Sequence, residues 1–113
     1  MSGSWVPADS GVRWTVSSGT TGWDFSSSVP RHGGLVISKK GASYKVTLVN
    51  VDGSRYPTVT RMDGAKLDVY LGPQGHALGS PDFYLKLTAA DALSMYEYEG
   101  QWQLTTDFKP GSP

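Results

Sequence analysis

His32 and His76 are the chain's two imidazoles, and imidazole is the side chain that most readily takes up a metal or a proton near neutral pH. A metal site needs about three or four donors converging on one point. Neither histidine has a His-x-His neighbour or a carboxylate at ligand spacing, so both read as solvated loop residues, and no metal or cofactor is expected. Carboxylate chemistry has two candidates, Asp24 beside Trp23 and Asp82 before Phe83. Glycoside hydrolysis would need them facing each other across about 5 to 10 Å, whereas aspartates in such places more often end turns or cap backbone amides. The serines between 17 and 28 lack the Gly-x-Ser-x-Gly elbow of a hydrolase. Gly72-Pro73-Gln74-Gly75 has no following Lys and helix to cradle a phosphate. Asn50, Asp52 and Gly53 lack the later Glu of a calcium loop, and hairpin chemistry accounts for them. The absence of cysteine removes disulfides, thiolate metal sites and thiol nucleophiles together. No catalytic residue is expected.

Aromatic surface is what remains. Tyr84, Tyr96 and Tyr98 alternate against apolar positions and should project from the sheet face opposite the core. Flat rings with a polar rim stack on sugars or apolar ligands. The same pattern also serves strand propensity and cross-strand packing alone. A second group of candidate contacts, Trp23, Phe25, His32 and His76, falls in two long loops, 17–34 and 72–81.

The elements that must position these residues are strands. Gly41, Asp52-Gly53, Asp63-Gly64 and Glu99-Gly100 punctuate stretches of alternating apolar and polar residues, and such turns predict consecutive antiparallel strands. Val12, Trp14 and Val16 mark the first, followed by strands around Leu35 and Ile37, Tyr44 to Leu48, Tyr56 to Met62, Leu67 to Leu71, Phe83 to Leu87, Leu93 to Tyr98, and Trp102 to Thr106. Pro57 cannot donate to a ladder, so it belongs at an edge, a strand start or a bulge. The stretch 17–34 reads as a loop or as holding a short irregular strand at Trp23-Asp24-Phe25. Ala89 to Ala92 is the one helix-tolerant piece, a single turn with Thr88 as its cap. The fold class is therefore all-β, an antiparallel meander of about eight strands, closed or partly open as a barrel, with a two-sheet sandwich as the alternative. The inward set would be Trp14, Ile37, Tyr44, Val46, Leu48, Val69, Leu71, Phe83, Leu85, Met95, Trp102 and Leu104.

At 113 residues the chain is one domain. Residues 1–10 are set apart as a tag-like or flexible start, 11–109 as the barrel and 110–113 as a flexible tail. Ten basic and ten acidic side chains cancel, so the field that draws nucleic acid is missing and nucleic-acid binding is not expected. No apolar run reaches the length of about 20 residues that spans a membrane. Abundant Gly, Ser and Thr with four tryptophans suit an exported, periplasmic or extracellular β-protein.

Trp14 in the first strand after Gly11, the hairpin series from Leu35 to Leu71 and a closing strand from Gln101 to Phe108 resemble the calycin-like small barrels, of the lipocalin, fatty-acid-binding and avidin type, and small bacterial lipoproteins built similarly. Those barrels carry Gly-x-Trp near their start, and Gly11-Val12-Arg13-Trp14 has one residue more. The resemblance implies a non-catalytic binding module taking a small apolar or amphipathic ligand at the barrel mouth. It also admits a protein-interaction or enzyme-inhibitor domain, or a carbohydrate-binding one, acting through loops or the tyrosine face.

Overall fold

The computed structural model describes residues 1–9, 13–17, 20–24, 31–71 and 80–113. Ten strands succeed one another: β1 (Gly3–Pro7), β2 (Arg13–Ser17), β3 (Thr20–Asp24), β4 (Gly34–Lys40), β5 (Ser43–Val49), β6 (Arg55–Asp63), β7 (Lys66–Leu71), β8 (Phe83–Ala89), β9 (Ala92–Tyr98) and β10 (Trp102–Pro110). Eight of them close an antiparallel barrel in the order β1-β10-β9-β8-β7-β6-β5-β4, and β2 and β3 form a separate two-stranded sheet. Because β1 bonds to β10 on one side and to β4 on the other, the wall has no free edge and the two-sheet sandwich is ruled out. Among the described residues no helix is present, and none is long and apolar enough to cross a membrane.

The strand that closes the wall lies in the segment set aside as a flexible start. Trp5 and Val6 are 3% and 5% exposed, and the Trp5 Nε1 donates to the Met1 carbonyl at 3.0 Å. Three consecutive residues of β1 are buried rather than every second one. Both faces of the strand are covered, so it carries no period-two signature. The tail is engaged as well: Pro110 ends β10 opposite Trp5, and the Gly111 amide donates to the Ser4 carbonyl at 3.1 Å.

The strand expected first, around Trp14, lies outside the wall as β2, and within 17–34 the short strand given as the alternative to a loop is present as β3, begun three residues earlier at Thr20. The β2–β3 hairpin nevertheless delivers Trp14 to the core, fully buried and edge-on to Phe108 with ring centroids 5.9 Å apart. The Trp14 amide donates to the His32 carbonyl at 2.7 Å. That close approach needs Gly33, whose φ is +71° and where a Cβ would stand 1.9 Å from the Trp14 carbonyl oxygen.

Alternation fills the interior. Leu35 and Ile37 of β4, Val46 and Leu48 of β5, Leu67 and Val69 of β7, Phe83 and Leu85 of β8, and Leu93 and Met95 of β9 form one cluster with Trp5, Trp14 and Phe108, while Tyr44 and Leu71 sit at its margin. Two residues expected inside are outside: Trp102 is 36% exposed and Leu104 52%. The cause is a bulge in β10. Leu104 pairs with Tyr96 but Thr106 pairs with Met95, so Thr105 is an extra residue and the inward parity switches to Thr106 and Phe108.

Pro57 pairs with Thr47 at the end of the continuous β5–β6 register. Beyond it, side chains take over from the backbone ladder: the Thr58 hydroxyl donates to the Val46 carbonyl at 2.6 Å, and the Thr60 hydroxyl donates to the Tyr44 carbonyl. Thr88 caps no helix. Ala89 pairs with Ala92 across a hairpin turn, and the Thr88 hydroxyl reaches over it to the Ala92 carbonyl at 3.2 Å.

Candidate binding face

Three neighbouring strands, β8 to β10, carry aromatic residues on the outer side of the wall, with β7 flanking them. Asp68, Tyr84, Tyr96 and Leu104 are successive cross-strand partners, and Tyr98 faces Trp102 one step nearer the β9–β10 turn. That turn, Glu99-Gly100-Gln101, takes its shape from Gly100 at φ +76° and is closed by a hydrogen bond from the Glu99 amide to the Gln101 carbonyl at 2.9 Å.

Tyr84 is the hub of the face. Its ring stacks on Tyr96 with centroids 4.7 Å apart and planes 11° from parallel. Trp102 meets it edge-on at 5.0 Å, and the Lys66 ammonium lies 5.0 Å from its centroid. Trp102 in turn meets Tyr98 edge-on at 5.5 Å. Each such pair adds about 0.5–1.5 kcal/mol beyond area burial, so the rings are held in place. Exposure separates support from contact: Tyr84 and Tyr96 are half-buried, whereas Tyr98 is 61% exposed.

Beside the rings is an open depression of about 490 Å³ bordered by Arg61, Asp63, Lys66, Asp68, Tyr84 and Trp102, with Ser80 and Pro81 completing it. Arg61 and Lys66 balance Asp63 and Asp68, so the rim is neutral. The Asp68 carboxylate is paired with Arg61 at 3.6 Å, and its side chain is 7% exposed against 58% for Arg61. At that distance the contact is an ion pair rather than a direct hydrogen bond. A largely buried carboxylate therefore faces the depression with acceptor capacity to spare.

The other residues singled out in the sequence are not gathered there. His32 is half-buried, and its Nδ1 lies 3.2 Å from Arg13 Nη1. Since the guanidinium can only donate, Nδ1 accepts. Trp23 pairs with Trp14 in the β2–β3 ladder; Phe25 and His76 lie outside the described residues. Asp82 caps a backbone amide, its carboxylate accepting from Leu71 at 2.8 Å. Asp24 stands opposite Arg13 in the β2–β3 ladder. Among the described residues no group of three His, Asp or Glu side chains is gathered to hold a metal. Asp52 belongs to its own turn: the Ser54 hydroxyl and amide donate to its Oδ1 at 2.6 and 2.8 Å. Those two bonds, the hydroxyl's first, hold its carboxyl below the ordinary value of 3.8.

Trp102 is the candidate contact residue that the sequence pattern hid. One signal pointed to it. Tyr98 and Trp102 bracket a three-residue turn and so face each other directly, and direct antiparallel partners share a sheet face. An outward Tyr98 therefore requires an outward Trp102. Arg61, Lys66 and Asp68 carry no comparable mark, because charged outward residues are ordinary on a strand. Compared with protein-family models, with curated proteins and with solved structures, the chain matches none.

Proposed function

We propose that this protein is a non-catalytic binding module whose contact surface is the outer aromatic face of β8 to β10, led by Trp102 and Tyr98. The observation that carries the reading is a pair of exposed aromatic side chains locked by edge-on contacts beside a depression with charged walls. Rigid rings bind with little loss of conformational entropy, and a depression of about 490 Å³ is within the size range of small-ligand sites. The barrel interior is occupied by its own side chains, which favours the outer face over the mouth. The up-and-down order of eight strands, first paired with last, is in keeping with a calycin-like barrel. The wealth of Gly, Ser and Thr together with four tryptophans fits work in a periplasmic or extracellular setting.

A fragment library of small amphipathic compounds, followed by amide and indole NMR shifts, tests the reading. Hits should converge on the Trp102 indole and on the amides of Tyr84, Tyr96 and Tyr98. Convergence instead on Trp14, Trp23 and His32 would move the site to the mouth, and hits scattered evenly would remove the binding face.

A further inference from the structure

Resting on that reading, we infer that the ligand is a neutral saccharide, one pyranose ring laid on Trp102 and two adjacent hydroxyls held by Asp68 and Arg61. A pyranose presents two kinds of surface. The C–H groups of one ring face are weakly positive and match the negative face of an aromatic ring. Its hydroxyls, each donor and acceptor, radiate from the rim. The protein offers the counterpart of both within one depression: an exposed indole held by Tyr84 and Tyr98, and an acceptor and a donor side by side in Asp68 and Arg61. One hydroxyl donates to the Asp68 carboxylate while its neighbour accepts from the guanidinium, whose planar fork suits paired oxygens.

Charge selects among ligand classes. Arg61 and Lys66 are offset by Asp63 and Asp68, so a polyanion gains no net field there, and the Lys66 ammonium is already directed at the Tyr84 ring. A protein anchor would require an apolar pocket for a buried side chain; here charged groups line the depression and rings stand on one side only. Burial pre-orients the Asp68 carboxylate, so holding it costs a ligand little ordering entropy.

The test is titration of the intact protein with cellotetraose, mannotetraose, xylotetraose and chitotetraose, and with a heparin tetrasaccharide as the charged control, following the Trp102 indole resonance and, in the Trp102 variant, the amides of Tyr84, Tyr96 and Tyr98. At least one neutral sugar should bind saturably. Trp102→Ala should abolish the binding, and Asp68→Asn and Arg61→Ala should each weaken it about tenfold or more. Arg61 is largely exposed, and Arg61→Lys, which keeps a cation beside the buried Asp68 carboxylate but removes the planar fork, should also weaken binding and remains decisive if Asp68→Asn or Arg61→Ala fails to fold. If no neutral tetrasaccharide shifts Trp102 at millimolar concentration while other amphipathic fragments do, the saccharide assignment is wrong and the binding face stands. If nothing shifts it, both fall. Tighter binding of the heparin fragment than of every neutral sugar, or unchanged affinity in Arg61→Ala, also overturns the inference.

Discussion

The β4–β5 hairpin and the β8–β9–β10 sheet line the same core with the same kind of residue, yet they show opposite characters to solvent. Inward, Leu35 faces Leu48 and Ile37 faces Val46 in one, as Leu85 faces Met95 in the other. Outward, β4 and β5 pair Ser38 with Lys45 and Lys40 with Ser43, whereas β8 to β10 pair Tyr84 with Tyr96 and Tyr98 with Trp102. The first hairpin shows that this wall can be built without an outward aromatic row. Against that hairpin, the outward aromatic row and Trp102 beside a charged depression are the features that the proposed binding reading accounts for. The interior specifies the barrel, and on the proposed reading the outer surface of one half specifies what it touches.

The inner half of the comparison breaks if the two regions respond differently to truncation. Trp14→Ala should be the most damaging change, about 3–5 kcal/mol, because it removes the largest fully buried side chain among the described residues and its edge-on contact with Phe108. Leu48→Ala in β5 and Leu85→Ala in β8, both fully buried, should each cost about 2–5 kcal/mol in urea unfolding. A large loss on one side with almost none on the other would mean that the barrel is not one cooperative core. At the seam beside the polar hairpin, Thr58→Val and Thr60→Val should each cost about 0.5–1.5 kcal/mol, since their hydroxyls stand in for ladder bonds past Pro57.

How far the sequence discloses this architecture depends on whether a strand has one dry face. The β4, β5, β7, β8 and β9 cores are legible because Ile37, Val46, Leu48, Val69, Phe83, Leu85 and Met95 alternate with polar neighbours. β1 is illegible because both of its faces are covered and Trp5, Val6 and Pro7 are buried in succession, while its pairing depends on partners about thirty and a hundred residues away. β10 misleads because alternation cannot reveal an inserted residue, and Thr105 turns Trp102 and Leu104 outward. The tyrosine face is legible for the same reason as the core, being its complementary parity. The depression is not, because Arg61, Lys66, Asp68 and Trp102 come from β6, β7 and β10 and meet only when β8 and β9 are laid between them in register.

On the aromatic face, support and contact should separate under mutation. Tyr84→Ala removes a stacked partner, an edge-on partner and a cation contact, so it should lower stability by about 1–2 kcal/mol. Tyr98→Ser, at a 61% exposed position, loses a single edge-on contact, so it should cost about 0.5–1 kcal/mol in thermal unfolding, less than Tyr84→Ala, and weaken ligand binding all the same. Equal stability losses at the two tyrosines would collapse the distinction and return the whole face to strand packing.

The contrast extends to the carboxylates, where the expected effect is smallest. Asp68 borders the aromatic depression, whereas Asp52 on the polar half is consumed by its own turn, accepting from both the hydroxyl and the amide of Ser54. Because those bonds favour the charged form, the folded carboxyl lies below its ordinary value of 3.8. The unfolded chain therefore binds the proton more readily. Stability from Asp52 is then complete above about pH 4 and is lost as pH falls through the folded value. The residue is solvent-exposed, so the slope should be shallow. Asp52→Asn should flatten that acid limb of the stability curve and leave the Trp102 indole resonance unmoved at every pH. If the indole moves instead, the polar turn and the aromatic face are coupled, and the two halves of the outer wall do not act separately.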